Sequence, residues 1–242
     1  MKRQIFFIFL LYSSMVLAMP IKNKVMVVLT PNENEYKGIL FCLEKQNNVW
    51  KIHLSFPVTI GRTGLAWGRG ISLPFEMPSK KREGDGKSPA GLFEIEPYMF
   101  GYDFMPSHSY SWKYTELTET WVGVDDSKSK YYNQVFDAAT IQDKDWDSCE
   151  TMKRQDDLYS RLLIIQHNMH NTLPYFGSCI FIHLWKNENS PTAGCTAMSK
   201  ENFEKMMHWL TTINETHYIL QLPCQVYQQY HSTLGLPILV LN

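Results

Sequence analysis

From residue 19 onward the apolar residues of this chain come in short, β-branched or alternating runs, and only one stretch carries a clear helical repeat. That pattern restricts the fold more than any other feature, because runs of this length bury as strands. Strands are expected over 25–29, 38–43, 93–95, 162–166 and 236–241, with a half-buried one over 49–54, where Val49-Trp50-Lys51-Ile52-His53-Leu54 alternates. In a further strand, 179–185, His183 shares a face with Cys179, Phe181 and Trp185, while Ile180, Ile182 and Leu184 point the other way. The helix follows Ser199, a good N-cap, with Phe203, Met206, Met207 and Leu210 on one apolar face. Ser148 offers a cap for a second helix over 149–159. Glycine is dense from Gly61 to Gly91, which reads as polar, turn-rich loops, and 98–146 reads as an aromatic, irregular insertion covering one side. The expected fold class is mainly β, a single β-rich domain over 19–242 with one or two packed helices.

Residues 1–18 stand apart. Lys2 and Arg3 precede an apolar run, and Val16-Leu17-Ala18 suits a signal-peptidase cut, so 1–18 is read as a cleaved secretory signal. No second long apolar segment follows, so no integral membrane span is expected after cleavage. The expected location is outside the cytoplasm, in a periplasm or cell-wall space. With 33 aromatic residues (7 Trp, 13 Tyr, 13 Phe) the chain is too rich in core formers to be disordered. A net charge of −1 argues against a polyanion binder, so no nucleic acid partner is expected. The five cysteines, Cys42, Cys149, Cys179, Cys195 and Cys224, leave at least one unpaired; the other four allow up to two disulfides in three pairings.

Three groups of residues carry chemistry. His183 ends a strand, and Thr192-Ala193-Gly194-Cys195 follows after a polar loop, just before the helix. A cysteine nucleophile needs a base within reach and N–H groups aimed at the developing oxyanion. The glycine before Cys195 permits the tight turn, and the helix N-terminus offers to lower the thiol pKa. A lone Cys and His also fit a purely structural role. The second group, Glu83-Gly84-Asp85-Gly86-Lys87-Ser88-Pro89-Ala90-Gly91, reads by itself as consecutive turns and lacks the order of a phosphate-binding loop. The third, His167, His170, Cys179, His183 and Cys195, has no CxxC pair or HExxH helix, so no metal and no cofactor is expected. His53, His108, His208, His217 and His231 are taken as surface or core residues, and Asn214-Glu215-Thr216 matches a glycosylation sequon.

The segment Gly177-Ser178-Cys179-Ile180-Phe181-Ile182-His183, followed by Pro191-Thr192-Ala193-Gly194-Cys195-Thr196-Ala197-Met198, resembles the bacterial L,D-transpeptidase catalytic domain of the YkuD type. Within that family it is more similar to the branch carrying EGDGK-(S/T)-PAG-x-F, here Glu83 to Phe93. Gly61-Arg62-Thr63-Gly64-Leu65, Asp125-Asp126, Tyr132-Asn133 and Trp146 with Glu150 and Met152 fit the same branch. The resemblance implies a β-rich fold whose catalytic cysteine ends the motif strand beside a histidine, and peptidoglycan stem peptides as the partner. It implies that Cys195 attacks the carbonyl of the third stem residue, a diamino acid, with His183 as general base and acid. The N–H groups of Gly194 and Cys195 would serve the oxyanion, and an acceptor amine would resolve the thioester; the protein is expected to act as a monomer.

Two positions depart from the commoner family pattern. Ala193 stands where many members carry histidine, leaving Thr192 and the backbone to do any orienting. Ala197 stands where many carry Arg or Asn, so Arg62, Arg69, Lys81, Arg82 and Lys87 become candidates for holding a substrate carboxylate, Arg62 and Lys87 foremost. A backbone carbonyl is the first expectation for orienting His183, with Asp126 or Glu150 behind it. Cys179 is expected to point into the core or to pair away from Cys195. The same thiol would serve an L,D-carboxypeptidase or amidase, and the same cleft a non-catalytic wall-binding module.

Overall fold

A computed structural model describes residues 21–103, 112–211 and 216–241. The expected signal segment 1–18, His108, and Asn214 and Glu215 of the sequon lie outside them. The strands are β1 (Lys24–Thr30), β2 (Lys37–Gln46), β3 (Val49–Thr59), β4 (Leu65–Trp67), β5 (Ser88–Ile95), β6 (Tyr98–Gly101) and β7 (Lys113–Glu116). They continue as β8 (Trp121–Gly123), β9 (Val135–Asp137), β10 (Glu150–Thr151), β11 (Arg161–Ile164), β12 (Phe181–Leu184), β13 (Thr196–Met198) and β14 (His217–Pro223). The helices are α1 (Lys200–Leu210) and α2 (Cys224–Tyr230). Mainly β with two packed helices, the fold has the expected class.

Eleven strands form one mixed sheet in the order β4-β5-β14-β1-β2-β3-β13-β12-β11-β6-β7, and β10-β8-β9 form a small second sheet. The large sheet coils on itself: Ile95 at the end of β5 bridges Ile165 just after β11, and Gln166 N–H donates to the Glu94 carbonyl at 3.0 Å. At its centre β1 and β14 run parallel and every residue of both is buried. Strands covered on both faces need continuous apolar runs rather than alternation. Helix α1 covers part of this core with Phe203, Met206, Met207, Trp209 and Leu210, and Ser199 Oγ accepts the Asn202 N–H at its start.

β12 divides the interior in two. Ile182 and Leu184, with Ile180 before the strand, belong to the main core. Phe181 and Cys179 face a smaller cluster with Leu117, Met152, Tyr159, Leu162 and Cys195. The alternation read from sequence is therefore real, and it sets the face that carries the chemistry. β13 pairs parallel with β12, placing Ala197 opposite His183.

Several expectations fail. No helix forms over 149–159: Glu150–Thr151 is β10, paired antiparallel with β8, and Ser148 Oγ hydrogen-bonds the Asp125 carboxylate. Glycine-rich 61–91 contains β4 and the start of β5, because the small residues of Ser88-Pro89-Ala90 let two parallel strands pack closely with every position buried. Residues 236–241 form no ladder, although Leu236 and Leu239 are buried and the Tyr227 hydroxyl donates to the Pro237 carbonyl at 2.7 Å. The alternation over 49–54 is broken by a bulge: Cys42 pairs with Leu54 and Leu43 with Ile52, and Ile52 is exposed. β14 and α2 are two elements beyond those the sequence pattern predicts. All five cysteines are free thiols: Cys42 is sealed in the core and Cys149 is exposed, far apart in environment. Among the described residues no helix is long and apolar enough to cross a membrane.

Candidate active site

Cys195 sits one residue before β13, at the floor of a cleft of ≈ 520 Å³ that His183, Thr192, Gly194 and Arg62 also line. Three local contacts shape its turn. Thr192 Oγ1 accepts the Gly194 N–H at 3.1 Å and donates to the Cys195 carbonyl at 2.6 Å. The Ser88 hydroxyl points between the carbonyls of Gly194 (2.6 Å) and Cys195 (3.1 Å), and accepts the Gly61 N–H at 2.9 Å. Any Cβ on Gly194 would come 3.1 Å from the Lys87 carbonyl and 3.3 Å from Ile180, so glycine is what lets this turn approach β5. Ser88, read from sequence only as part of a turn, is thus the buried peg beneath the nucleophile's loop.

The Cys195 thiol lies against the main chain entering β12. Sγ accepts the Phe181 N–H at 3.3 Å and donates to the Cys179 carbonyl at 3.5 Å. Burial pushes this thiol up to about 12, with the Glu150 carboxylate adding to the rise and the Phe181 N–H opposing it. His183 is buried and lines the same cleft, and burial pulls its imidazole down to about 4. Its Nδ1 lies 2.7 Å from the Leu184 carbonyl. A carbonyl only accepts, so Nδ1 carries the hydrogen and Nε2 is left as a base. The expected carbonyl orienter is found; Asp126 instead accepts the Lys128 and Asp147 N–H groups, and Glu150 accepts the Tyr159 hydroxyl. The resting pair is a neutral thiol and a neutral imidazole.

The helix plays no part in that balance. All of β13 lies between Cys195 and α1, and a dipole's influence falls off within one turn of its end. The expectation of a thiol acidified by a helix N-terminus is therefore corrected.

Among the candidate cations, Arg62 and Lys81 line the cleft and Lys87 does not. Lys87 Nζ donates to the Thr63 carbonyl at 2.6 Å, and its N–H to Asp85 at 2.8 Å; the Asp85 carboxylate gathers the loop and turns Lys87 away. Asp85 also takes Lys81 Nζ at 2.7 Å and the Arg82 N–H at 2.7 Å, which ties Lys81 down. Arg69 is held by Asn168 and Asn171, and Arg82 lies over the Phe176 ring. Arg62 is exposed and its side chain lies over Gly86, whose φ of +70° and missing Cβ make room for it. Arg154 also lines the cleft, paired with Asp156 through bonds of 2.8 and 2.6 Å, and went unnoticed in the sequence.

The remaining motif residues hold the frame. Glu83 accepts the Tyr132 hydroxyl and, at 2.8 Å, the Ser178 hydroxyl. Asn133 donates to the carbonyls of His167 and Asn168, both at 2.9 Å, and accepts the Cys179 N–H at 2.9 Å. Cys179 is buried in a core cluster, as expected, and is a free thiol; that cluster also holds Cys195 and borders the cleft. His167 has both ring nitrogens on main-chain groups, Arg69 N–H at 3.1 Å and the Phe176 carbonyl at 2.9 Å. Among the described residues no three His, Cys, Asp or Glu side chains gather in a metal-holding group.

The chain is similar to a solved protein described as Bd1075 of Bdellovibrio bacteriovorus, at 13% identity and a TM-score of 0.38, covering 82% of this chain and 47% of that one. It thus spans about half the length of that protein. No curated protein matches it. The family model of the L,D-transpeptidase catalytic domain matches residues 37–219, a span holding the cleft, its thiol and its imidazole, and on that match the chain belongs to the YkuD family.

Proposed function

We propose that this protein is an exported cysteine L,D-transpeptidase of the EGDGK-bearing branch, acting on peptidoglycan stem peptides in a periplasm or cell-wall space. One observation carries the reading: Cys195 and His183 line one cleft, and the Leu184 carbonyl leaves His183 Nε2 as a free base. Nε2 takes the thiol proton as Sγ attacks the carbonyl carbon of the third stem residue. The tetrahedral intermediate collapses, the C–N bond to the terminal D-alanine breaks, and Nε2–H protonates the departing amine. An acceptor amine then attacks the thioester and gives its proton to Nε2. The new amide forms as the C–S bond breaks, and the proton returns to Sγ.

The N–H groups of Cys195 and Gly194 serve the oxyanion, with Thr192 and Ser88 fixing the turn that carries them. Arg62 holds the donor's terminal carboxylate, a role supported by its exposed guanidinium at the cleft edge. Lys87 has no part in binding. The mature domain, 19–242, works as a monomer.

The test is mass spectrometry of tetrapeptide muropeptides incubated with the protein and with Cys195→Ala. Dimers joined through two diamino residues, absent with the variant, support transpeptidation. Tripeptide alone makes the protein an L,D-carboxypeptidase. Binding of intact stems with neither product makes it a wall-binding module and overturns the reading.

A further inference from the structure

Tyr159 belongs to none of the sequence motifs, yet it forms the cleft wall beside the reacting pair. Its ring meets the His183 ring edge-on, with centroids 5.0 Å apart at 68°, and meets Phe181 at 5.6 Å and 81°. Its hydroxyl donates to Glu150 Oε2 at 2.7 Å and also reaches the Cys195 thiol, opposing the rise that burial causes there. Glu150 comes from β10, so the small sheet reaches across to hold a side chain packed against the large one. The Arg154 guanidinium lies 5.0 Å from the Tyr159 ring centre. The preceding residue adds a second tie: the Leu158 carbonyl accepts the Leu184 N–H at 3.1 Å. The turn that carries Tyr159 therefore also fixes the residue whose carbonyl holds His183 Nδ1.

A single hydrogen bond at Nδ1 leaves an imidazole free to swing about that bond, carrying Nε2 away from its target. Ala193, which also lines the cleft, offers only a methyl group and no hydrogen bond to brace the ring. We propose that Tyr159 is a positioning residue for the reaction: anchored by Glu150, its ring stops His183 from swinging and keeps Nε2 facing Cys195. This rests on the assignment of Cys195 and His183 made above. Burial keeps the phenol protonated, well above its usual range, so the hydroxyl stays a donor wherever the enzyme works.

The test uses Tyr159→Phe, which keeps the ring and removes the anchor, and reads two quantities that need no wall substrate. The first is the rate of Cys195 alkylation by iodoacetamide across pH; the second is the nitrogen-15 spectrum of His183, which reports its tautomer. Wild type is expected to show one tautomer, with hydrogen on Nδ1. Tyr159→Phe is expected to show an exchanging mixture and alkylation at neutral pH slowed about tenfold or more, with an unchanged melting temperature. Glu150→Leu breaks the same bond from the other side and is read by the tautomer alone if Tyr159→Phe fails to fold, because losing the carboxylate also lowers the Cys195 thiol. Glu150→Gln, which preserves an acceptor, restores the single tautomer lost in Glu150→Leu. A single wild-type tautomer in Tyr159→Phe, or in Glu150→Leu where that variant stands in, overturns the proposal whatever the alkylation rate. His183→Asn separates this from the underlying reading: if it leaves alkylation unchanged, the Cys195–His183 assignment itself fails.

Discussion

Burial keeps both members of the reacting pair uncharged, so the proton moves at the moment of attack and not before. His183 is in its basic form above about 4, so turnover should fall as pH drops through about 4, not through the usual histidine range. A pH–rate profile of thioester formation checks this; a limb near 6.5, the usual histidine value, would mean that His183 is solvated. Cys195→Ala should abolish the reaction, and His183→Asn should slow it by about 10²–10⁴. Thr192→Val removes the acceptor of the Gly194 N–H and the donor to the Cys195 carbonyl together. It should lower kcat about tenfold with little change in KM, since the turn it fixes serves the transition state. These residues were legible in the sequence because His183, Thr192, Gly194 and Cys195 form one short string of chain. Tyr159 was not, and Glu150 stood out only as a motif residue and a reserve candidate for orienting His183: their contact arises only when β10 and the turn before β11 are brought together by the fold.

Among the elements, α1 was readable because cap and repeat are both local. Ser199→Ala should cost about 1 kcal/mol by urea unfolding. The stretch 149–159 misled for the opposite reason. Its polar residues suit a helix, but the Met152 N–H is claimed by the Trp121 carbonyl and Glu150 by Tyr159, contacts no window of sequence contains. β1 and β14 differ likewise: the apolar run of β1 was visible, while its central place depends on a partner nearly 200 residues away. At the loop before β5, Gly86→Ala places a Cβ at φ +70°, 3.0 Å from the Arg62 guanidinium. It should lose about 1 kcal/mol of stability and raise KM for a stem donor more than it lowers kcat, because Arg62 must move. Equal losses in both constants would remove Arg62 from substrate binding.

For the whole molecule, two buried neutral histidines tie stability to pH. Burial holds His183 at about 4 and His167 at about 3. Unfolded, both take protons near about 6.5, so their contribution is complete above that value and is lost as pH falls toward the folded values. Their combined slope is about 3 kcal/mol per pH unit between about pH 6 and about pH 4, and the urea midpoint should drop accordingly between neutral pH and about pH 5; His167→Gln should flatten that drop.

The parallel pairing of β1 with β14 also has a consequence in time. A ribosome releases β1 long before β14, and until residue 223 has emerged β1 has no neighbour on that side and β5 no partner at all within the sheet's centre. Closing so distant a pair is slow. The seam at the sheet's centre therefore stays open for the whole of synthesis, with the β1–β2–β3 meander already able to pair and its inner edge waiting on the last strand.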